Sequence, residues 1–190
     1  MAHERTSVKS LKVFWLGFVA LMMLGVLVGC DKMATQSPDV SDSIRKSLDQ
    51  AGLKDVSVSQ DRDKGVVTLG GHVAADAGKS QAESIAKAIA AGQVVANQIA
   101  VMPPGGESAA RAMNSDLDTG IEKNLDAALI QNGLHGNVKY DVKNGVVTLT
   151  GEVKSNSVRA QAEQIASSVP NVRQVVNELQ SKSQKASSSN

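Results

Sequence analysis

Apolar and polar positions alternate along Gly65-Val66-Val67-Thr68-Leu69-Gly70-Gly71-His72-Val73, so Val67, Leu69, Gly71 and Val73 fall on one side of an extended chain. The arrangement returns eighty positions on, from Gly145 against Gly65, as Gly145-Val146-Val147-Thr148-Leu149-Thr150-Gly151-Glu152-Val153. Each copy reads as the central strand of a small sheet. Its valine and leucine row faces a core, and the glycine marks a place where a helix comes close. A repeat at this period predicts two modules of one kind.

The flanking pattern repeats as well. In the first module, 41–101, Ile44, Leu48 and Ala51 share one helical face, with Ser41 as the candidate N-cap and Gly52-Leu53 as the ending. Val56 and Val58 alternate as a strand, and Asp61-Arg62-Asp63-Lys64-Gly65 makes a turn into the organising strand. Asp76 is the candidate cap of a second helix striped by Ala82, Ile85, Ala86 and Ile89; Val95, Asn97 and Ile99 form the last strand. In the second module, 117–179, Leu117, Ile121, Leu125, Ala128 and Leu129 stripe the first helix, which ends at Asn132-Gly133-Leu134. Val138, Tyr140 and Val142 precede the Lys143-Asn144-Gly145 turn, Val158 to Val169 stripe the second helix, and Val175, Asn177 and Leu179 close the sheet. Both modules therefore read as α+β, in the order αββαβ. Residues 102–116, with Pro103-Pro104-Gly105-Gly106 and then small polar residues, read as a flexible linker, and 180–190 as a disordered tail. A module of about 60 residues is marginal alone, so the two are expected to pack on each other.

The start of the chain follows a different rule. Arg5, Lys9 and Lys12 precede a run from Val13 to Val28 without a charged side chain. That run is shorter than the ~20 residues a membrane-spanning helix usually needs, and it suits an export signal over 1–29. It ends in Leu27-Val28-Gly29-Cys30, which resembles the lipobox of bacterial lipoproteins. The resemblance implies cleavage before Cys30 and acylation of that residue, leaving 30–40 as a lipidated tether. The alternative is a plain N-terminal membrane helix with an incidental cysteine. Asp31 resembles a sorting signal that retains lipoproteins at the inner membrane, although Lys32 is not the partner that strengthens it, so the outer membrane stays open.

The two repeats resemble the BON domain of bacterial envelope proteins. The matching residues are the Val-x-Leu-x-Gly-x-Val cores (Val67 to Val73, Val147 to Val153), the Ala82 and Ala162 helices, and the Val95-x-Asn97 and Val175-x-Asn177 endings. The resemblance implies a three-stranded mixed sheet with two helices on one face. Where the family has Gly-Val before the last strand, the first copy has Ala91-Gly92 and the second Asn171-Val172, so the first lacks an apolar plug there. A lipobox followed by two such modules is similar to the dual-BON envelope lipoproteins. That similarity implies a lipid-anchored protein on the periplasmic face of a membrane, binding anionic phospholipid through the second module and supporting envelope integrity. The alternative is a periplasmic protein–protein adaptor or an osmotic-stress scaffold.

Charge and composition narrow the chemistry. Net charge is +1 overall; the first 29 residues carry +2, which leaves −1 for the rest. The aromatic residues are Phe14, Trp15, Phe18 and Tyr140, so the modules offer no stacking platform and no basic face for nucleic acid. Cys30 has no second cysteine to pair with. His72 and His135 stand at non-equivalent repeat positions and read as solvated histidines. Asn97 and Asn177 read as side chains bonding a neighbouring turn. No catalytic residue, metal site or cofactor is expected. In the first helix of the second module, Ile130 lies opposite Ile121 at 100° per residue. Ile130, with Lys123, is the candidate for lipid or partner contact; the alternative is packing against the first module or the 102–116 segment.

Overall fold

The computed structural model describes residues 36–182. Cys30 and Asp31 lie outside the described residues, as does the tail beyond 182. The first module runs α1 (Ser41–Gln50), β1 (Val56–Asp61), β2 (Val66–Val73), α2 (Asp76–Ile89), β3 (Val94–Asn97) and β4 (Ala100–Val101). The second runs α3 (Glu107–Gln131), β5 (Lys139–Lys143), β6 (Val146–Thr150), β7 (Glu152–Val153), α4 (Asn156–Ser167), β8 (Gln174–Asn177) and β9 (Gln180–Ser181). In each, the organising strand is central, antiparallel to the strand before it and parallel to the strand after the helix. The last strand breaks after its asparagine and resumes as β4 or β9, still alongside the central strand's continuation.

Alternation on the central strands separates two apolar faces. Val67 and Leu69 join Ile44, Leu48, Ala82 and Ala86 in one core, so both helices cover the same face. Val147 and Leu149 do the same with Ile121, Leu125, Leu129, Ala162 and Ala166. The opposite parity, Val66 and Ala96, meets Val146 and Val176 in a third buried cluster between the modules. The partners are repeat equivalents, so the modules meet back to back about an approximate two-fold. Burying a valine contributes roughly 1.5–3 kcal/mol, which matters to modules of this size.

Local chemistry sets the ends. The Gly52 and Gly133 amides donate to Asp49 and Ile130, and Leu53 and Leu134 donate to Leu48 and Leu129, completing Schellman motifs at both expected endings. Asn144 and Gly145, both at positive φ, give the two-residue turn between β5 and β6. The first module uses the longer 62–65 turn there.

Several expectations change. Ser41 opens α1 rather than capping it, and its amide and hydroxyl donate to Asp39. Asp76 lies inside α2 without a capping bond, where its charge still suits the helix N-terminus. Ser155 caps α4 by accepting from the Val158 amide. The linker is half helix: α3 begins at Glu107, because Ala109, Ala110, Arg111 and Ala112 are strong helix formers, and only 102–106 is irregular. Leu117 is therefore on the helix but exposed, outside the core. Gln180 and Ser181 belong to the sheet instead of the tail, with Ser181 buried and its hydroxyl donating to Asn156. Residues 36–40 of the expected tether dock on the first module, the Ser37 amide donating to Arg62 and Gln60 and Gln93 donating to Pro38.

The glycine of the central strand is also explained differently. A Cβ at Gly71, φ +83°, would stand 2.0 Å from the Asp55 carbonyl oxygen, so the neighbouring strand's backbone comes close and not a helix. Gly151 meets Asn137 in the same way. The helix approaches at Gly78, which faces Val73. Gly71→Ala should cost about 2–4 kcal/mol, against about 1 kcal/mol for Gly52→Ala, where φ is +78° but nothing lies within 4 Å. Urea denaturation of the two variants measures the difference.

Candidate functional site

Helix α3 is the longest element and carries three of the four exposed large apolar residues among those described: Met113 at 64%, Leu117 at 41% and Ile130 at 55%. The fourth is Val94 of β3 at 47%. Ile121, Leu125 and Leu129 fix the inner face of α3, which turns Ile130 outward. Lys123, also exposed, stands seven residues before Ile130 and so on the same stripe. Asp118 ties the helix to the second hairpin by accepting from the Asn144 and Gly145 amides at 2.7 and 2.9 Å.

Asn97 and Asn177 do more than bond a turn. Each accepts from the amide two residues on, Ile99 or Leu179, at the break in its strand. Each also donates to the second helix of its module, Asn97 to the Lys79 carbonyl and the Glu83 carboxylate, Asn177 to the Arg159 carbonyl and the Glu163 carboxylate. Hydrogen bonds from Lys87 and Asn97 hold the Glu83 carboxyl below its ordinary value. Burial pushes the Lys79 ammonium down, with the Arg173 charge adding to it.

The histidines separate. His135 Nδ1 is 2.8 Å from Asp126, which also accepts from the Tyr140 hydroxyl, so it has a partner instead of being simply solvated. Burial, and then the Asp126 hydrogen bond, raises the Tyr140 phenol. His72 lines an open cleft of about 500 Å³ between the modules, with Arg111, Asp118, Glu122 and Lys143. Among the described residues, no group of three or more His, Cys, Asp or Glu side chains could hold a metal ion, and no helix is long and apolar enough to cross a membrane.

Among the described residues, four side-chain hydrogen bonds cross between the modules. Lys64 donates to Glu178 at 2.6 Å, Asn144 donates to the Gln98 carbonyl at 2.7 Å, and the Gln174 amide bonds the Val95 carbonyl and the Asn97 amide. None of these residues stands out in one copy of the repeat. Comparing positions eighty apart, where Gln174 faces Val94 and Asn144 faces Lys64, is the signal that finds them.

The sequence profile of the BON domain matches residues 37–103 and 117–183, well over half of the chain. The chain belongs to the BON domain family. It is 30% identical to osmotically-inducible protein Y of Escherichia coli (strain K12) over 137 residues, 71% of this chain and 67% of that protein. Among solved structures it is similar to the C-terminal domain of CdsD, a structural protein of the type III secretion system of Chlamydia trachomatis. That likeness is at 14% identity and a TM-score of 0.30, covering 74% of this chain and 66% of that one. A second CdsD structure is similar at 15% identity and a TM-score of 0.33, over 77% of this chain and 95% of that one. The two BON modules share the αββαβ order and the asparagine-pinned strand break.

Asn97→Ala should destabilise the protein by about 1–3 kcal/mol, because it strands the buried Ile99 amide. Asn177→Ala should cost less, since Asn177 is more exposed, and urea midpoints compare the two. The Glu178 hydrogen bond raises the Lys64 ammonium above its ordinary 10.5. Stability from that contact is complete below pH 10.5 and is lost as pH rises through the raised folded value. The Tm gap between the protein and Lys64→Gln should therefore narrow in thermal melts taken above that pH.

Proposed function

We propose that this BON protein is a non-catalytic, lipid-anchored component of the bacterial envelope. Acylated at Cys30, it faces the periplasm and binds phospholipid through the second module, supporting envelope integrity. Support for the anchor comes from the charged start, the apolar run and Leu27-Val28-Gly29-Cys30. Because Gln36 to Val40 docks on the first module, only a short run would separate a lipid on Cys30 from the folded protein. Asp31 tilts the destination toward the inner membrane. An osmotically inducible relative supports a role in envelope stress.

The observation that carries the lipid reading is the apolar exposure of α3, above all Ile130. Charge does not drive the contact. Helix α3 has Glu107, Asp116, Asp118, Glu122 and Asp126 against Arg111 and Lys123, and 117–179 with Asp116 has eight acids against six bases. Binding rests on insertion of Ile130, whose burial contributes roughly 1.5–3 kcal/mol, with Lys123 reaching the headgroup.

A Cys30→Ser chain sedimented with anionic and neutral vesicles tests this apart from the anchor. Binding above background, weakened about tenfold or more by Ile130→Asp, is the expected result. Recovery at background with both vesicles would overturn it.

A further inference from the structure

Helix α2 of the first module and the residues entering β8 of the second enclose a groove of about 280 Å³ where the modules meet. Three cations line it: Lys79 and Lys87 from α2, and Arg173, which directly precedes β8. One carboxylate, Glu83, stands among them, so the lining carries a net charge of +2. That surplus is local, because the chain beyond its first 29 residues carries −1. It is not a by-product of the duplication either. At positions eighty apart, Lys79 matches Arg159, but Lys87 matches Ser167 and Arg173 matches Gln93.

The charges are tethered at the groove but not balanced there. The Lys79 ammonium donates to the Ile99 carbonyl at 2.9 Å. Lys87 pairs with Glu83, which also accepts from Asn97. The Arg173 amide donates to Gly145, and the neighbouring Gln174 side chain bonds Val95 and Asn97. The Arg173 stem lies over Gly145, where a Cβ would meet it at 3.1 Å. Among the described residues, neither Lys79 nor Arg173 forms an ion pair with a carboxylate. Burial pushes the Lys79 ammonium down, and the Arg173 charge pushes it the same way. Asp76, Glu83 and Asp118 each oppose that more weakly. Two of these three are committed elsewhere, Glu83 to Lys87 and Asn97, Asp118 to the Asn144 and Gly145 amides. The module contact thus holds two like charges near each other with no anion of the protein between them.

We infer that this groove is a binding site for an oxyanion of the phosphate class, which accepts from the Lys79 ammonium on one module and the Arg173 guanidinium on the other. Lys87 offsets Glu83, so that carboxylate does not repel the ligand. A guanidinium fork takes two oxygens at once and an ammonium takes one from another direction; a tetrahedral oxyanion can serve both together. The groove has no aromatic side chain, so it offers nothing for a ring to stack on. A free phosphate and a lipid headgroup present this same chemistry. Neither Ile130 nor Lys123 takes part, so the inference goes beyond the lipid reading, which rests on α3.

The test titrates the full chain, in neutral detergent micelles, with inorganic phosphate at an ionic strength held constant by chloride. NMR reads the Lys79 and Arg173 side chains and the amides of α2 and β8. A saturable shift confined to these residues is expected. Arg173→Gln, a change at an exposed position, should weaken phosphate about tenfold, as loss of one hydrogen bond to a charged group allows. Glu83→Gln should tighten it, and Lys46→Ala, on the exposed side of α1, should leave it unchanged. Ile130→Asp should also leave it unchanged, which separates failure of this site from failure of lipid insertion. A second arm replaces phosphate with phosphatidylglycerol added to the micelles. The same shifts with lipid alone assign the site to a headgroup, with phosphate alone to a soluble phosphate, and with both to the phosphate group itself. No saturable shift at these residues in either arm would overturn the inference. So would a response that Arg173→Gln and Glu83→Gln both leave unchanged, because it reduces the effect to ionic screening.

Discussion

A small sheet covered by helices on one face leaves the other face wet, and the rest of this structure follows from how that second face is buried. Val66 and Ala96 of one module lie against Val146 and Val176 of the other. Burial of this kind is strong per residue, and two modules near the lower limit for an independent core each gain from it. Because the partners are repeat equivalents, one contact solves the problem for both copies. It also fixes which edges, turns and helices are brought near one another.

An approximate two-fold turns every difference between the copies into a difference of surface. Lys64–Glu178 and Asn144–Gln98 are the same contact made with different chemistry, an ion pair on one side and an amide on the other. Gln174 and Val94 do not balance: the Gln174 side-chain amide bonds the edge of β3, and Val94 at the equivalent position has no such group. Glu83 has Lys87, whereas Ser167 stands at the position equivalent to Lys87 and Glu163 accepts from Asn177. Helix α3 extends far beyond α1 and holds most of the exposed large apolar side chains among the described residues. The second module thus presents most of these exposed apolar side chains.

The local physics of the elements was legible in the chain. Period-two alternation placed the central strands, Gly52 and Gly133 ended their helices as expected, and Ile130 lies outside the core because Ile121 lies within it. Readings failed where composition was taken for conformation. The alanines after Pro103-Pro104-Gly105-Gly106 looked like linker, yet their helix propensity extends α3 to Glu107. Gln180 and Ser181 looked like tail, yet the central strand continues past Gly151 and offers them a partner. Gly71 was assigned to a helix contact because a strand pattern does not say which backbone approaches it.

The amino-acid sequence by itself determined the duplication, the αββαβ order of each copy and the inward face of the central strands, since those depend on periodicity and on residues a few positions apart. Only the tertiary structure decided that the two sheets meet back to back and that Gln174 caps a strand edge in the other module. Those contacts join positions dozens of residues apart, where neither spacing nor propensity carries information, and they form only once the apolar faces have chosen each other.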